Sequence, residues 1–120
     1  MTEAYYFDTY AILEIIAGNP NYRQYTNAEI LLTKLNLFEL FYSILKEKGV
    51  EKAKIYLDKY KGFAVDFDTD VIENAGLLKK SNTKLSMTDC IGYAVAAQEG
   101  VKFLTGDKEF ENMPNIEFAR

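Results

Sequence analysis

The 120-residue sequence contains no histidine and only one cysteine, Cys90. Without histidine there is no Ser-His-Asp or Cys-His arrangement, no imidazole for proton transfer and no histidine ligand for zinc, iron or copper. One cysteine excludes an internal disulfide, a thiolate zinc site and an iron–sulfur cluster. Any chemistry that the chain performs alone must therefore use carboxylates, hydroxyls, lysines or hard metal ions held by oxygen.

Long apolar runs and a basic leader are also missing. No apolar run approaches the roughly 18 residues of a membrane span, and the N-terminal Met-Thr-Glu-Ala has no basic signal region. The low cysteine content favours a reducing compartment, so we expect a cytoplasmic protein that does not bind membranes. Hydrophobic residues at 48% and charged residues at 27% exclude a disordered chain. The length predicts a single domain spanning residues 1–120.

Strand-like and helix-like segments alternate along the chain. Short apolar or alternating runs predict strands at Ala4–Phe7, Ile30–Leu35, Phe63–Phe67, Val101–Thr105 and Ile116–Phe118. Longer segments, several of them followed by glycine, predict helices at Thr9–Ala17, Asn36–Lys48, Glu51–Lys61, Thr69–Lys80 and Ser86–Glu99. This order predicts an α/β fold, with helices on both faces of a central parallel sheet of four or five strands in a three-layer α/β/α domain.

Three carboxylates stand alone in apolar segments. Asp8 is the only charged residue between positions 4 and 13, Glu39 between 35 and 45, and Asp89 between 85 and 97. A buried carboxylate costs several kcal/mol unless it is paired, hydrogen-bonded or bound to a metal. No lysine or arginine in these segments can neutralise the acids locally, so their presence requires another explanation.

The predicted topology brings four acids to one edge of the sheet. Asp8 and Asp107 directly follow strands, Glu39 lies in the first turn of the helix after the second strand, and Asp89 lies in the first turn of the helix before Val101–Thr105. Ligands of such sheets bind beyond the carboxyl ends of the strands. Four converging carboxylates call for a divalent cation, and oxygen ligands favour Mg²⁺ or Mn²⁺. The net charge of −4 is accounted for by these four residues, which weakens the objection that an acidic chain avoids nucleic acids.

Each acid also has a purely structural interpretation. Asp8 and Asp107 are placed to cap helices that begin at the next residue, and Asp89 closes a capping box that begins at Ser86. Glu39 suits the first turn of an exposed helix, where it would favour the helix dipole. Capping does not require isolation in an apolar run, so the four acids together favour a site.

The motifs Tyr6–Thr9, Leu37–Leu40, Thr88–Ile91 and Thr105–Phe110, in this order and spacing, resemble those of the PIN-domain nucleases. Within that family the sequence is most similar to the VapC toxins of toxin–antitoxin pairs, and the resemblance runs from Tyr5 to the C-terminus. It implies a PIN-like fold and an endoribonuclease that hydrolyses RNA with Mg²⁺ or Mn²⁺.

The resemblance also implies roles for particular residues and partners. Asp8, Glu39, Asp89 and Asp107 match the catalytic, metal-binding acids, and Thr9 and Thr105 match the hydroxyls that support them. A homodimer and a small antitoxin partner are expected. Some members carry a further aspartate near the fourth motif, where this chain offers only Glu109 or Glu111, so the number of metals stays open.

Other interpretations remain at this stage. The chain could be an RNA-processing PIN nuclease outside a toxin system, or a PIN-like module that binds metal or RNA without catalysis. A phospho-accepting receiver domain is a third alternative, although it requires an acidic pair where Asp8 is followed by Thr9, and it gives no reason for Glu39 or Asp89. The lysines between positions 46 and 61 suit an RNA-binding groove or simply a solvated helix face.

Overall fold

The computed structural model describes residues 2–120, which form four strands and five α-helices. The strands are β1 (Ala4–Phe7), β2 (Glu29–Leu31), β3 (Lys102–Thr105) and β4 (Ile116–Phe118). The helices are α1 (Thr9–Ile16), α2 (Lys34–Lys48), α3 (Val50–Tyr60), α4 (Thr69–Ser81) and α5 (Met87–Glu99). Short 3-10 turns span Pro20–Tyr25, Lys61–Phe63 and Lys108–Phe110. In the described part of the chain, no helix combines the length and apolar character that crossing a membrane requires.

The four strands form one parallel sheet in the order β2-β1-β3-β4. Tyr6 of β1 pairs with Leu31 on one side and with Phe103 on the other. The predicted central parallel sheet is thus confirmed, with four strands. In chain order, β2 is added on one side of β1 and β3 on the other. The connections that follow β1 and precede β3 therefore run in opposite directions from the point between these two strands. Such a switch point opens a crevice at the carboxyl ends of the two strands.

Side chains of the central strands alternate between two cores. Tyr5, Phe7 and Leu104 pack against α1, α2 and α3, whereas Tyr6 and Phe103 pack against α4 and α5. Both faces of β1 and β3 are therefore covered, which explains why these strands are continuous apolar runs rather than alternating ones. The three-layer α/β/α prediction is confirmed.

The predicted strand at Phe63–Phe67 does not form. Lys61–Phe63 is a 3-10 turn, and Ala64 contributes only an isolated parallel bridge to Leu32, at the end of β2. Two hydrogen bonds, from Leu32 N to the Phe63 oxygen (3.4 Å) and from Val65 N to the Leu32 oxygen (2.8 Å), hold this segment to the sheet edge. The alternating pattern correctly indicates that this segment is partly buried. It does not indicate whether the neighbouring strand is long enough to pair with the segment.

The second strand is shorter and its helix begins earlier than predicted. β2 ends at Leu31, and α2 begins at Lys34 instead of Asn36. The reason is a helix cap: the Thr33 backbone N–H donates to Asn36 Oδ1 at 3.1 Å, which stabilises the start of α2. As a consequence Glu39 lies in the second turn of α2, and the prediction of a first-turn position is wrong.

Candidate active site at the carboxyl edge of the sheet

Two of the predicted site acids lie at the switch point itself. Asp8 directly follows β1, and Asp107 follows β3 after a single glycine. Since β1 and β3 are parallel neighbours, their carboxyl ends meet at the same edge. The hydrogen bond from Asp8 N to the Leu104 oxygen (3.0 Å) extends the ladder to the first residue beyond β1. The position of Asp8 is thus fixed by the sheet.

The Asp8 carboxylate does not cap α1. The residue occupies the N-cap position, but its side chain makes no capping hydrogen bond. Its Oδ2 instead accepts a hydrogen bond from Thr105 Oγ1 at 2.7 Å, and only 5% of Asp8 is exposed. The capping interpretation of Asp8 is therefore wrong for the carboxylate, which turns toward β3.

Thr105 connects the two acids at the switch point. Its hydroxyl donates to Asp8 and accepts from the Asp107 backbone N–H at 3.0 Å. The Asp107 carboxylate accepts from the Glu109 backbone N–H at 3.0 Å and so caps the turn at Lys108–Phe110. The capping role of Asp107 is confirmed, and the residue remains at the same edge as Asp8.

Glu39 and Asp89 approach this edge from two helices. Glu39 Oε1 accepts a hydrogen bond from Thr9 Oγ1 at 2.8 Å, which draws the carboxylate of α2 to the start of α1. Asp89 closes the predicted capping box: its Oδ2 accepts from Ser86 N at 3.1 Å, and its own N–H donates to Ser86 Oγ at 3.0 Å. Both residues are partly buried.

The acids interact electrostatically. Burial, followed by the negative charge of Asp89, raises the pKa of Asp8 to about 7; the Thr105 hydroxyl opposes this shift and Glu39 adds to it. Burial also raises the pKa of Glu39, with a further contribution from Asp89. The pKa of Asp89 is raised by burial and by Asp107. Each of the four carboxylates therefore raises the pKa of another of them or has its own pKa raised by one.

Basic side chains do not compensate this charge. In the part of the chain that the structure describes, the ion pair present joins Lys61 to Asp58 at 2.8 Å, at the exposed C-terminal end of α3. Lys79 lowers the pKa of Asp89 only as a minor cause. The edge of the sheet is thus a concentration of negative charge that the protein's own cations leave largely unbalanced.

The donor set agrees with a hard divalent cation that retains water. Among residues 2–120 there is no group of three or more acidic or thiol side chains close enough to enclose a metal ion unaided. Mg²⁺ does not require such a cage, because it commonly binds one or two carboxylates and completes its shell with water and substrate phosphate. The site matches this mode of coordination, because it offers carboxylate and hydroxyl oxygens, carries unbalanced negative charge and contains no softer ligand.

Polar side chains with no predicted role complete the site. Asn36, which is 1% exposed, donates from Nδ2 to Thr9 Oγ1 at 3.0 Å, and Tyr6 donates its hydroxyl proton to Asn36 Oδ1. The Thr88 hydroxyl lowers the pKa of Glu39. The sequence did carry one signal for Asn36: its polar amide lies between two leucines at the start of a strongly apolar helix.

Gly106 separates Thr105 from Asp107 and leaves no room for a side chain. A Cβ at this position would overlap Tyr10 Cε1 and the backbone oxygen of Ala119. Because a backbone atom cannot yield as a side chain does, we expect Gly106→Ala to lower the free energy of unfolding by about 1–3 kcal/mol. It should also displace Asp107, which chemical denaturation and NMR of the Asp107 amide would detect.

Gly76 is the matched control for that substitution. It lies in the exposed interior of α4, and no other group lies within 4 Å of the place where an alanine methyl would sit. Gly76→Ala should therefore stabilise the protein by roughly 0.5–1 kcal/mol through helix propensity. Equal stability changes in the two variants would show that the close approach at Gly106 is not a constraint.

The chain resembles known structures over nearly its full length. It superposes on a chain of a toxin–antitoxin complex from Klebsiella pneumoniae with a TM-score of 0.75 and 19% identity, covering 95% of this chain and 96% of that one. For DNA-bound VapBC from Salmonella typhimurium the TM-score is 0.72 and the identity 19%, with 98% and 97% covered. For VapBC2 from Rickettsia felis, bound to a DNA fragment from its promoter, the values are 0.72 and 23%, with 96% of each chain covered. At these identities the likeness concerns the fold.

The sequence itself identifies the family. No protein of curated function is similar enough in sequence to count as a relative. The PIN domain family, however, matches residues 5–116, a range that contains all four acids. The receiver-domain alternative is thereby set aside, and the chain belongs to the PIN domain family.

Proposed function

We propose that this PIN domain is a toxin-type endoribonuclease that hydrolyses RNA phosphodiester bonds with Mg²⁺ or Mn²⁺. The observation that carries the proposal is the buried Asp8 carboxylate, whose pKa is raised to about 7 by burial and by its acidic neighbours. A folded protein tolerates such a charge concentration when a cation joins it in the working state. Membership of the PIN family supports nuclease chemistry.

In this proposal Asp8, Glu39, Asp89 and Asp107 surround the cation, which would contact one or two of these carboxylates directly and the others through its bound water. When bound, the ion supplies positive charge to the scissile phosphate and makes water more acidic. The protein's part is orientation. Thr105 donates a hydrogen bond to one oxygen of Asp8, and Thr9 donates one to an oxygen of Glu39. These bonds fix both carboxylates and leave the second oxygen of each for the ion. Because these hydroxyls sit on strand and helix ends, the site is preorganised.

The proposed partners are RNA, a small antitoxin protein and a second copy of the chain. Similarity to chains of toxin–antitoxin complexes, over 95% or more of this chain, supports the antitoxin. The exposed apolar residues Phe38 and Tyr42 on α2, 72% and 51% accessible, provide surface for a protein contact.

The nuclease assignment is tested by cleavage of a labelled single-stranded RNA. We expect cutting with Mg²⁺ or Mn²⁺, none with EDTA, and recovery when metal is added back; a DNA strand of the same sequence should stay intact. Asp89→Asn, which keeps an oxygen for the Ser86 N–H, should lose cleavage, whereas the exposed Asp70→Asn should not. Cutting that persists in EDTA would overturn the metal mechanism. A protein that binds Mn²⁺ through these acids but cuts no RNA would support a non-catalytic module instead.

A further inference from the structure

A continuous line of buried hydrogen bonds ends at Glu39. The Tyr6 hydroxyl donates to Asn36 Oδ1, Asn36 Nδ2 donates to Thr9 Oγ1 at 3.0 Å, and Thr9 Oγ1 donates to Glu39 Oε1 at 2.8 Å. Tyr6, Asn36 and Thr9 are 0%, 1% and 7% exposed. The line thus runs from the middle of β1 through α2 and the start of α1 to the site.

The direction of these bonds is set by chemistry. The Thr33 backbone N–H lies 3.1 Å from one end of the Asn36 amide, and an N–H can only donate. That end must therefore be the oxygen, and the amino group must face Thr9. Because a hydroxyl has one proton and Thr9 accepts from Asn36, its proton is available for Glu39. Each donor therefore points toward the Glu39 carboxylate.

Capping of α2 does not explain the amino group of Asn36. The cap uses only Oδ1, which accepts from the Thr33 N–H. An amide that is only 1% exposed destabilises the fold by about 1–3 kcal/mol for each hydrogen bond it fails to make. An apolar residue would therefore give a more stable protein unless both the oxygen and the amino group of Asn36 are hydrogen-bonded. The second end is used on Thr9, the residue that holds Glu39.

We propose that Asn36 is a positioning residue that acts through Thr9 to fix the Glu39 carboxylate beside Asp8 and Asp89. The inference rests on the proposed function, in which Glu39 helps to hold the cation. Glu39 reaches the site on a flexible side chain from the second turn of α2, and Thr9 donates a hydrogen bond of 2.8 Å to it, which lowers the pKa of Glu39 more than the Thr88 hydroxyl does. Without the Asn36 donor, the Thr9 hydroxyl is free to rotate and Glu39 loses its fixed orientation.

The test measures Mn²⁺ affinity of the full chain by electron paramagnetic resonance. Loss of such outer partners costs on the order of 10-fold in metal affinity, so we expect that loss in Asn36→Ala and in Thr9→Val. Because both act through one line, the double variant should lose about 10-fold as well, rather than the product of the two. Thr9→Ser keeps the hydroxyl and should bind like the wild type.

Thr33→Val is the matched structural control. It removes a hydroxyl 3.2 Å from the same Asn36 oxygen but leaves the path from Asn36 to Glu39 complete. Its Mn²⁺ affinity should stay within about 2-fold of the wild type, since it alters no ligand or ligand partner. In metal-free protein, the Glu39 carboxyl carbon NMR shift should change in Asn36→Ala and not in Thr33→Val. If Asn36→Ala does not fold, Asn36→Ser takes its place in both measurements.

The outcomes separate this inference from the proposed function. If Glu39→Gln leaves Mn²⁺ affinity unchanged, Glu39 is not a ligand, and both the proposed site and the inference fail. If Glu39→Gln loses affinity but Asn36→Ala behaves like Thr33→Val, or its effect multiplies with that of Thr9→Val, the inference alone is overturned. Asn36 would then serve only to begin α2.

Discussion

Asp8→Asn is expected to abolish RNA cleavage, with kcat falling on the order of 1000-fold or more, while the metal-free protein becomes more stable at neutral pH. The activity is lost because Asp8 is the most buried of the four acids and directly follows β1 at the switch point between β1 and β3. The stability rises because the substitution removes a buried charge that burial and Asp89 disfavour. Asparagine retains an oxygen to accept from Thr105, so the fold keeps that hydrogen bond.

This pairing of lost activity with gained stability is the diagnostic result. A residue with a purely structural role would lose both together. The measurements are single-turnover cleavage of labelled RNA and thermal unfolding in EDTA at pH 7.5. Asp58→Asn is the matched control, because Asp58 is exposed and paired with Lys61, and it should change neither quantity appreciably. Full cleavage by folded Asp8→Asn protein would refute the site.

The parts of the site that depend on strand order were predictable from sequence. Asp8 and Asp107 each follow an apolar run short enough to be a strand, and parallel neighbours place their carboxyl ends together. Those facts depend only on local pattern and on the α/β alternation. The four-stranded sheet and the two helical layers follow from the same reasoning.

Errors arise where pairing or capping decides the boundary. The Phe63–Phe67 segment has the alternating pattern of a strand, yet within it only Ala64 forms a bridge, to Leu32. The segment has no further partners on that side because β2 ends at Leu31 and the chain begins α2 at Lys34. The sequence pattern puts Glu39 one turn too early, since the cap formed by Thr33 and Asn36 starts α2 at Lys34. A two-residue shift in a helix start changes which turn an acid occupies.

The hydrogen-bond line to Glu39 lay beyond sequence reasoning. Tyr6 and Asn36 are 30 residues apart, as are Thr9 and Glu39, and they meet only when α2 packs against β1 and α1. No local period encodes that meeting. Burial of a lone amide among leucines indicates that partners must exist, but it does not say which ones.

The second large effect concerns pH. Because the pKa of Asp8 is raised in the folded protein to about 7 from 3.8, the native state binds more protons than the unfolded chain between those values. Stability in EDTA should therefore fall as pH rises from 5 to 8, by roughly 2–3 kcal/mol from Asp8, and level off above the folded-state pKa. The pKa values of Glu39 and Asp89 are raised in the same direction, so both add to the decline.

The absence of histidine makes this measurement unusually clean. With none in the sequence, no side chain of ordinary pKa has its midpoint between pH 5 and 7.5, so the slope mainly reports the raised carboxylates. Melting temperature should drop across this range in EDTA, and Asp8→Asn should flatten the curve while Asp58→Asn keeps it. Mg²⁺ or Mn²⁺ at about 100 times its dissociation constant should restore roughly 2.7 kcal/mol, and more of it at pH 7.5 than at pH 5, where protons compete for the same oxygens. A melting temperature that rises with pH in EDTA would mean that the four carboxylates do not share one uncompensated site.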